Sequence, residues 1–267
     1  MKTFDTEFDK FKKMFEEEEN FAFSRFSDGE IFILKNERLI LSEQGFVTGD
    51  RKGHGVYPTE ERKDFDPEKH SYISDRLNLC LSSHKHNYFK GLSCNEDTDI
   101  CLEDDVFIYQ KNIAGEDEEY LTFSNLFING NYPRFLNEII PIIKDKPIVM
   151  VTNENCTHEA LPFTNIVKVF NIGSNCIVND FNLPDEINEW IEENSIENTI
   201  FLIAASTLSN FIVKDCFFMN PQNTYVDIGS SLSPWMGLDG WKYSRAYLQH
   251  WILGHKNKYG TQIDTWN

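Results

Sequence analysis

Positive charge is scarce in this sequence. Its 267 residues hold 25 Lys and Arg against 43 Asp and Glu, a net charge of −18. Binding a nucleic-acid backbone requires a basic face, so nucleic acid is excluded as a general partner. A nucleotide ligand is not excluded, because a bound cation reverses the local sign. Long apolar runs are missing too. The longest, around Ile148 and Ile200, have the length of strands, well short of the roughly 20 residues of a membrane helix. No membrane span is expected. Residues 1–19 are charged and lack the apolar centre of a signal peptide. The six cysteines, at 80, 94, 101, 156, 176 and 216, include no Cys-x-x-Cys pair, which argues against a zinc knuckle or a disulfide framework. Free thiols in a reducing, cytoplasmic setting are the expectation.

What is present suits a folded protein: 40% hydrophobic and 14% aromatic residues over a length that buries a substantial core. Phe4, Phe8, Phe11 and Phe15 recur at helical spacing and predict an amphipathic helix ending near Glu16–Glu19. Phe21 to Phe26 alternates as a short strand does. Thr48 to His70 is polar and punctuated by Gly49, Gly53, Gly55, Pro58 and Pro67, and reads as a long loop suited to a lid. Leu77, Leu79 and Leu81 follow in a helix of mixed facing, and Asn95 to Glu103 reads as an acidic turn.

The second half has a clear rhythm. Pro147–Thr152, Ile166–Ile172, Thr199–Ala205 and Thr224–Ile228 are short runs rich in β-branched residues. Helical patterns separate them at Cys156–Leu161, Leu183–Glu193 and Leu208–Phe218. Continuous apolar strands spaced by helices predict a parallel sheet buried on both faces. The expected fold is α/β and Rossmann-like, a mostly parallel sheet flanked by helices, with ligands at the carboxyl ends of the strands.

The sharpest local feature is Arg25-Phe26-Ser27-Asp28-Gly29-Glu30, at the end of the first predicted strand. In extended backbone, Asp28 and Glu30 point the same way, about 6.6 Å apart along the chain. If they converge to ~4 Å, they repel by about 4 kcal/mol at an effective dielectric of 20. A divalent Mg²⁺ or Mn²⁺ would remove that cost. Arg25 offers a forked donor to a phosphate. The competing reading is a helix that begins at Gly29, capped by Asp28, with Glu30 in its first turn. Further along, Ser206-Thr207 leads into a predicted helix and offers free N–H groups to an anion, with Asn210 as an added donor. Asp227-Ile228-Gly229 ends the last predicted strand. A methyltransferase places such a motif on its first strand, whereas only 40 residues follow Asp227 here, and its second and third glycines are missing. Asn129, Asn131, Tyr132 and Arg134 form a further polar group suited to a sugar pocket.

The stretch RFSDGEIFIL resembles the opening motif of the GT-D glycosyltransferases, and the resemblance extends loosely to Tyr88–Leu92 and to the block IAASTLSNFIVKDCFFMNPQNTYVDIGSSLSP. It departs at Ser27 and at Ala205-Ser206, where the family prefers glycine. The resemblance implies a hexosyltransferase that uses a nucleoside-diphosphate sugar, UDP-hexose in particular, and a glycan or other hydroxyl acceptor. It implies Mn²⁺ or Mg²⁺ at Asp28 and Glu30. Arg25, Ser206, Thr207, Asn210, Asp227 and Gly229 would bind the donor, and Asp227 is the candidate base. The expected organisation is one domain over 1–267: an N-terminal helix (1–20), an α/β core (21–235) and a C-terminal extension (236–267). A non-catalytic nucleotide- or sugar-binding protein of the same fold is the alternative; an S-adenosylmethionine-dependent methyltransferase ranks below it.

Overall fold

The computed structural model describes residues 2–55, 57–93, 106–115 and 118–261, with Asp28 by its backbone. The acidic turn expected at 95–103, together with Cys94 and Cys101, lies outside the described residues. The chain opens with helix α1 (Phe4–Glu16), whose Thr3 cap accepts from the Thr6 N–H at 3.2 Å. Strand β1 (Ala22–Phe26) leads into α2 (Asp28–Leu34). The segment read as a loop, Thr48–His70, carries two strands: with β2 (Leu39–Ser42) and β3 (Gly45–Thr48) before it, β4 (Arg51–Gly53) and β5 (Lys63–Phe65) form an antiparallel sheet in the order β4-β3-β2-β5. Its strands are three or four residues long, and among the described residues between Thr48 and His70 Phe65 is the one large apolar side chain that is fully buried. Alternation over so few residues leaves almost no periodic signal.

Helix α3 (Pro67–Ser82), β6 (Tyr88–Leu92), α4 (Val106–Ala114) and β7 (Leu121–Phe123) follow. Short helical pieces, α5 (Tyr132–Arg134) and α6 (Ile140–Ile143), then lead to β8 (Ile148–Asn153) and β9 (Ile166–Ile172). The helix expected at 156–161 does not form; this stretch turns and reaches Pro162 without a helical segment. The chain closes with α7 (Cys176–Asn179), α8 (Leu183–Asn194), β10 (Ile200–Ile203), α9 (Leu208–Met219), β11 (Thr224–Asp227), α10 (Trp241–Ser244) and α11 (Ala246–Leu253).

The main sheet has seven strands in the order β7-β6-β1-β11-β10-β8-β9, and every pairing is parallel. All carboxyl ends therefore fall on one edge. Strand residues alternate between two cores. Ala22, Phe26, Val149, Val151, Phe201 and Ile203 pack with α2, α3, α8 and α9. Phe21, Phe23, Ile148, Met150, Leu202 and Val226 pack on the opposite face with α1 and α11. Burial on both faces is why the central strands read as unbroken apolar runs. Residues 236–253 belong to the second of these cores through Met236, Trp241, Tyr247 and Leu248. Cys80, Cys156, Cys176 and Cys216 are free thiols, and no described helix is long and apolar enough to cross a membrane.

Candidate functional site

A cleft of about 490 Å³ opens at the carboxyl edge of the sheet. Arg25 and Ser27 reach it from β1, Asp227 and Gly229 from β11, Ser206 from the end of β10, and Asn153 from β8. The antiparallel sheet and its 3₁₀ turn at Thr59–Glu61 contribute Tyr57, Glu60, Glu61 and Lys63. The outer wall comes from the C-terminal helices, through Tyr243, Arg245 and Tyr247. It is latched to the small sheet: Ser244 Oγ donates to Glu61 Oε1 at 2.7 Å, and Arg245 pairs with the same oxygen at 3.2 Å.

Residues 28–30 are helical, so the extended-backbone argument for their convergence fails. A helix start with Glu30 in its first turn is observed, but one residue earlier than expected: α2 begins at Asp28, and Ser27 rather than Asp28 is the cap. Glu30 reaches back one turn, and its Oε2 accepts from the Ser27 N–H at 3.1 Å and the Ser27 hydroxyl at 3.0 Å. Its Oε1 accepts from Thr207 Oγ1 at 2.7 Å and lies 3.8 Å from the Lys63 ammonium, which itself donates to Thr207 at 3.2 Å. Burial pushes the Glu30 carboxyl up, but Lys63, the Thr207 and Ser27 donors and Arg25 outweigh it, and the group sits below its ordinary range. Gly29 makes room for this arrangement, since a Cβ there would lie 3.1 Å from Lys63 Nζ.

Asp227 behaves in the opposite way. It is only 5% exposed. Burial pushes its carboxyl up to about 7, with Glu30 adding to the rise, against the pull of Arg25 and the Gly229 N–H that donates to Oδ1 at 2.9 Å. Gly229 has φ +51°, and a Cβ there would come within 2.1 Å of an Arg25 guanidinium nitrogen. Glycine is required by both the backbone and the neighbour. Arg25 is further fixed by donating through Nε to the Ser124 carbonyl. On the far side of Asp227, Tyr247 shares a 3.0 Å hydrogen bond with Ser230, and burial pushes its phenol up to about 12.

Arg25, Glu30, Ser206, Asp227 and Gly229 thus meet in one cleft, as the sequence suggests. Thr207 and Asn210 do not face it. Thr207 is wholly buried against Glu30, and the Asn210 amide donates inward to Ser24 Oγ at 3.0 Å and to the Arg25 carbonyl at 2.7 Å, tying α9 to β1. Of the polar group at 129–134, only Asn129 lines the cleft; Tyr132 donates to the Ser231 carbonyl, and Arg134 is held by Asp5, Asp9 and Glu138 beside α1. Lys63, Glu61 and Arg245 are not legible, because nothing local marks a charged residue whose partners, Glu30 and Thr207 for Lys63 and each other for Glu61 and Arg245, lie tens to nearly two hundred residues away.

The donor set does not suit a divalent ion at Glu30. Both of its oxygens already accept from protein donors and an ammonium stands beside them. Among the described residues, no three His, Cys, Asp or Glu side chains come together as ligands.

With this geometry in hand, known structures are informative. No protein-family model matches the sequence, and no curated protein matches it. Two solved structures of domain of unknown function 1792 (DUF1792), one of them selenomethionine-substituted, align over 94% of this chain and 82% of theirs, with TM-scores of 0.53 and 0.52. The second is described as a distinct glycosyltransferase fold. This chain has that fold. Sequence identity is 14% in both alignments, so the likeness concerns the arrangement of elements. It bears out the α/β, GT-D-like architecture that the opening motif implies.

Proposed function

We propose that this chain is a glycosyltransferase that moves a hexose from a nucleoside-diphosphate sugar, UDP-hexose first among them, to a hydroxyl of a glycan or another acceptor. One observation carries the reading: in a glycosyltransferase fold, Arg25, Glu30, Lys63 and Asp227 converge on one cleft at the carboxyl edge of the sheet. Transfer breaks the bond between the anomeric carbon and the diphosphate, so negative charge grows on the leaving group. A pre-set guanidinium is the group suited to receive it, because its planar fork takes two phosphate oxygens at once. Arg25 suits that role, since it lines the cleft over Gly229 with its Nε fixed on the Ser124 carbonyl.

The acceptor hydroxyl must lose a proton as it attacks. Asp227 suits this role, since a carboxyl near 7 balances availability of the base against its proton affinity. The Gly229 N–H fixes Oδ1, and the Arg25 backbone also holds the carboxyl, so the base is oriented before the acceptor arrives. Glu30 orients Lys63 and Thr207 rather than reacting. The Mn²⁺ or Mg²⁺ implied by Asp-x-Glu is not used in this scheme, because the Glu30 oxygens are committed.

A thermal-shift screen of nucleoside-diphosphate sugars, with and without Mn²⁺, tests the reading, because a ligand that binds only the native state raises its Tm. Stabilisation by at least one donor sugar is expected, with less or none from the free sugar. No shift with any donor would refute it. Stabilisation by S-adenosylmethionine would return the methyltransferase reading.

A further inference from the structure

We propose that Lys63 is the resident cation of the diphosphate subsite, so that this chain grips a nucleoside diphosphate through Lys63 and Arg25 with no divalent metal ion. The inference rests on the reading that the cleft takes a nucleoside-diphosphate sugar, and it names what neutralises that ligand.

Lys63 enters from the antiparallel sheet, an element separate from the parallel sheet that carries Arg25 and Asp227, and lines the cleft with Arg25 and Ser206. Its side chain is 12% exposed, which is low for a lysine on so acidic a chain. The ammonium is held where an Asp-x-Glu motif would be expected to hold a metal: 3.8 Å from Glu30 Oε1 and 3.2 Å from Thr207 Oγ1. The first separation is an ion pair too long for a hydrogen bond; the second is a hydrogen bond. An ammonium carries three donors, and Thr207 takes one. Lys63 lines the cleft, and an ammonium with two donors left matches the oxygens of a diphosphate.

The surroundings are built to the size of an ammonium. Gly29 leaves the space above it open, and any side chain there would begin 3.1 Å from Nζ. Thr207 bridges the lysine and the carboxylate by accepting from one and donating to the other at 2.7 Å. A divalent ion on Oε2 would have to displace a Ser27 donor, and one on Oε1 would sit next to the Lys63 ammonium, a like charge. Arg25 and Lys63 therefore approach the cleft as two positive groups, with Glu30 as the anion that positions one of them.

Titration calorimetry with UDP, dTDP, GDP and ADP, each in EDTA and in Mn²⁺, tests the proposal on the wild type, Lys63→Met and Gly29→Ala. The wild type is expected to bind at least one nucleoside diphosphate in EDTA, with Mn²⁺ changing the affinity less than threefold. Loss of a charged hydrogen bond predicts a 10- to 150-fold weakening in Lys63→Met, with the free nucleoside bound as before. Gly29→Ala, which keeps the lysine and favours the helix, should weaken nucleoside-diphosphate binding severalfold by displacing the ammonium. That variant decides the matter if Lys63→Met does not fold. Wild-type binding that appears only with Mn²⁺ would overturn the role of Lys63 and leave the glycosyltransferase reading intact. Unchanged binding in both variants would also overturn it. Failure of the wild type to bind any nucleoside diphosphate in either buffer would instead remove the donor reading itself.

Discussion

Strand β1 has two ends with opposite chemistry. At its start, Phe21 and Phe23 enter an aromatic cluster with Phe8, Phe11, Phe15, Phe89 and Phe127, in which Phe11 alone makes four edge-on ring contacts at 4.9–5.9 Å. At its finish, two residues on from Phe23, Arg25 leans over Gly229 beside two buried carboxylates. One end gains stability from apolar burial; the other holds charges that burial penalises and that only their mutual arrangement offsets. Changes at the first end should cost folding and spare ligand binding, and changes at the second should do the reverse.

The largest effect is expected at the aromatic end. Phe11→Ala should cost about 3–5 kcal/mol in chemical denaturation, from lost transfer energy plus the cavity left behind. Donor affinity of the molecules that remain folded should stay within about twofold of wild type. A large affinity loss would show that the two ends are not separable.

At the other end, Asp227→Asn should stabilise the protein at alkaline pH while removing turnover. The Asp227 carboxyl is raised to about 7 from an ordinary 3.8, so the folded chain holds its proton more tightly than the unfolded chain. Stability from this group is therefore present at low pH, falls between about pH 4 and pH 7, and is flat above. The asparagine variant should lack that slope, and its advantage over wild type should grow by about 2–4 kcal/mol between pH 4 and pH 8. Parallel stability curves would contradict the burial argument.

A smaller effect is expected for Arg25→Lys, which keeps the charge and loses the fork. Donor affinity should fall by roughly 10- to 150-fold, corresponding to about 1.5–3 kcal/mol, while the free nucleoside binds nearly unchanged. Equal losses for both ligands by calorimetry would take Arg25 out of the site. Least of all, Ser206→Gly should raise stability by about 1 kcal/mol or less, because Ser206 has φ +52°, a conformation that favours glycine. An unchanged or lower Tm would mean that the serine hydroxyl offsets the strain.

The sequence is legible where burial is regular. β8, β10 and β11 are covered on both faces, and their apolar runs locate them to within a residue or two; β9, at the sheet edge and largely exposed, is located by its β-branched residues. The aromatic helix α1 is legible for the same reason, as Phe4, Phe8, Phe11 and Phe15 all turn inward. The antiparallel sheet is not, because strands of three or four residues with one buried phenylalanine look like a polar loop. The site is legible in part. Arg25 and Asp227 sit at strand ends, where a parallel sheet collects its ligands, and Glu30 lies in the first turn of the helix that follows β1. Lys63 has no such marker, and its importance depends on Gly29 and Thr207, which meet it only in the folded chain. Asn210 has the residue type of a ligand donor, yet it serves as a tie between α9 and β1.

The central claim is that the charged end of β1 activates a sugar donor, and the pH dependence of nucleoside-diphosphate release from a panel of donor sugars tests it most directly. With Asp227 as the base, release by the wild type should rise about tenfold per pH unit below about 7 and level off above, and Asp227→Asn should abolish it. Release that is the same in Asp227→Asn, or donor binding with no release at any pH, would contradict the account; the second result would identify a binding protein on a glycosyltransferase fold.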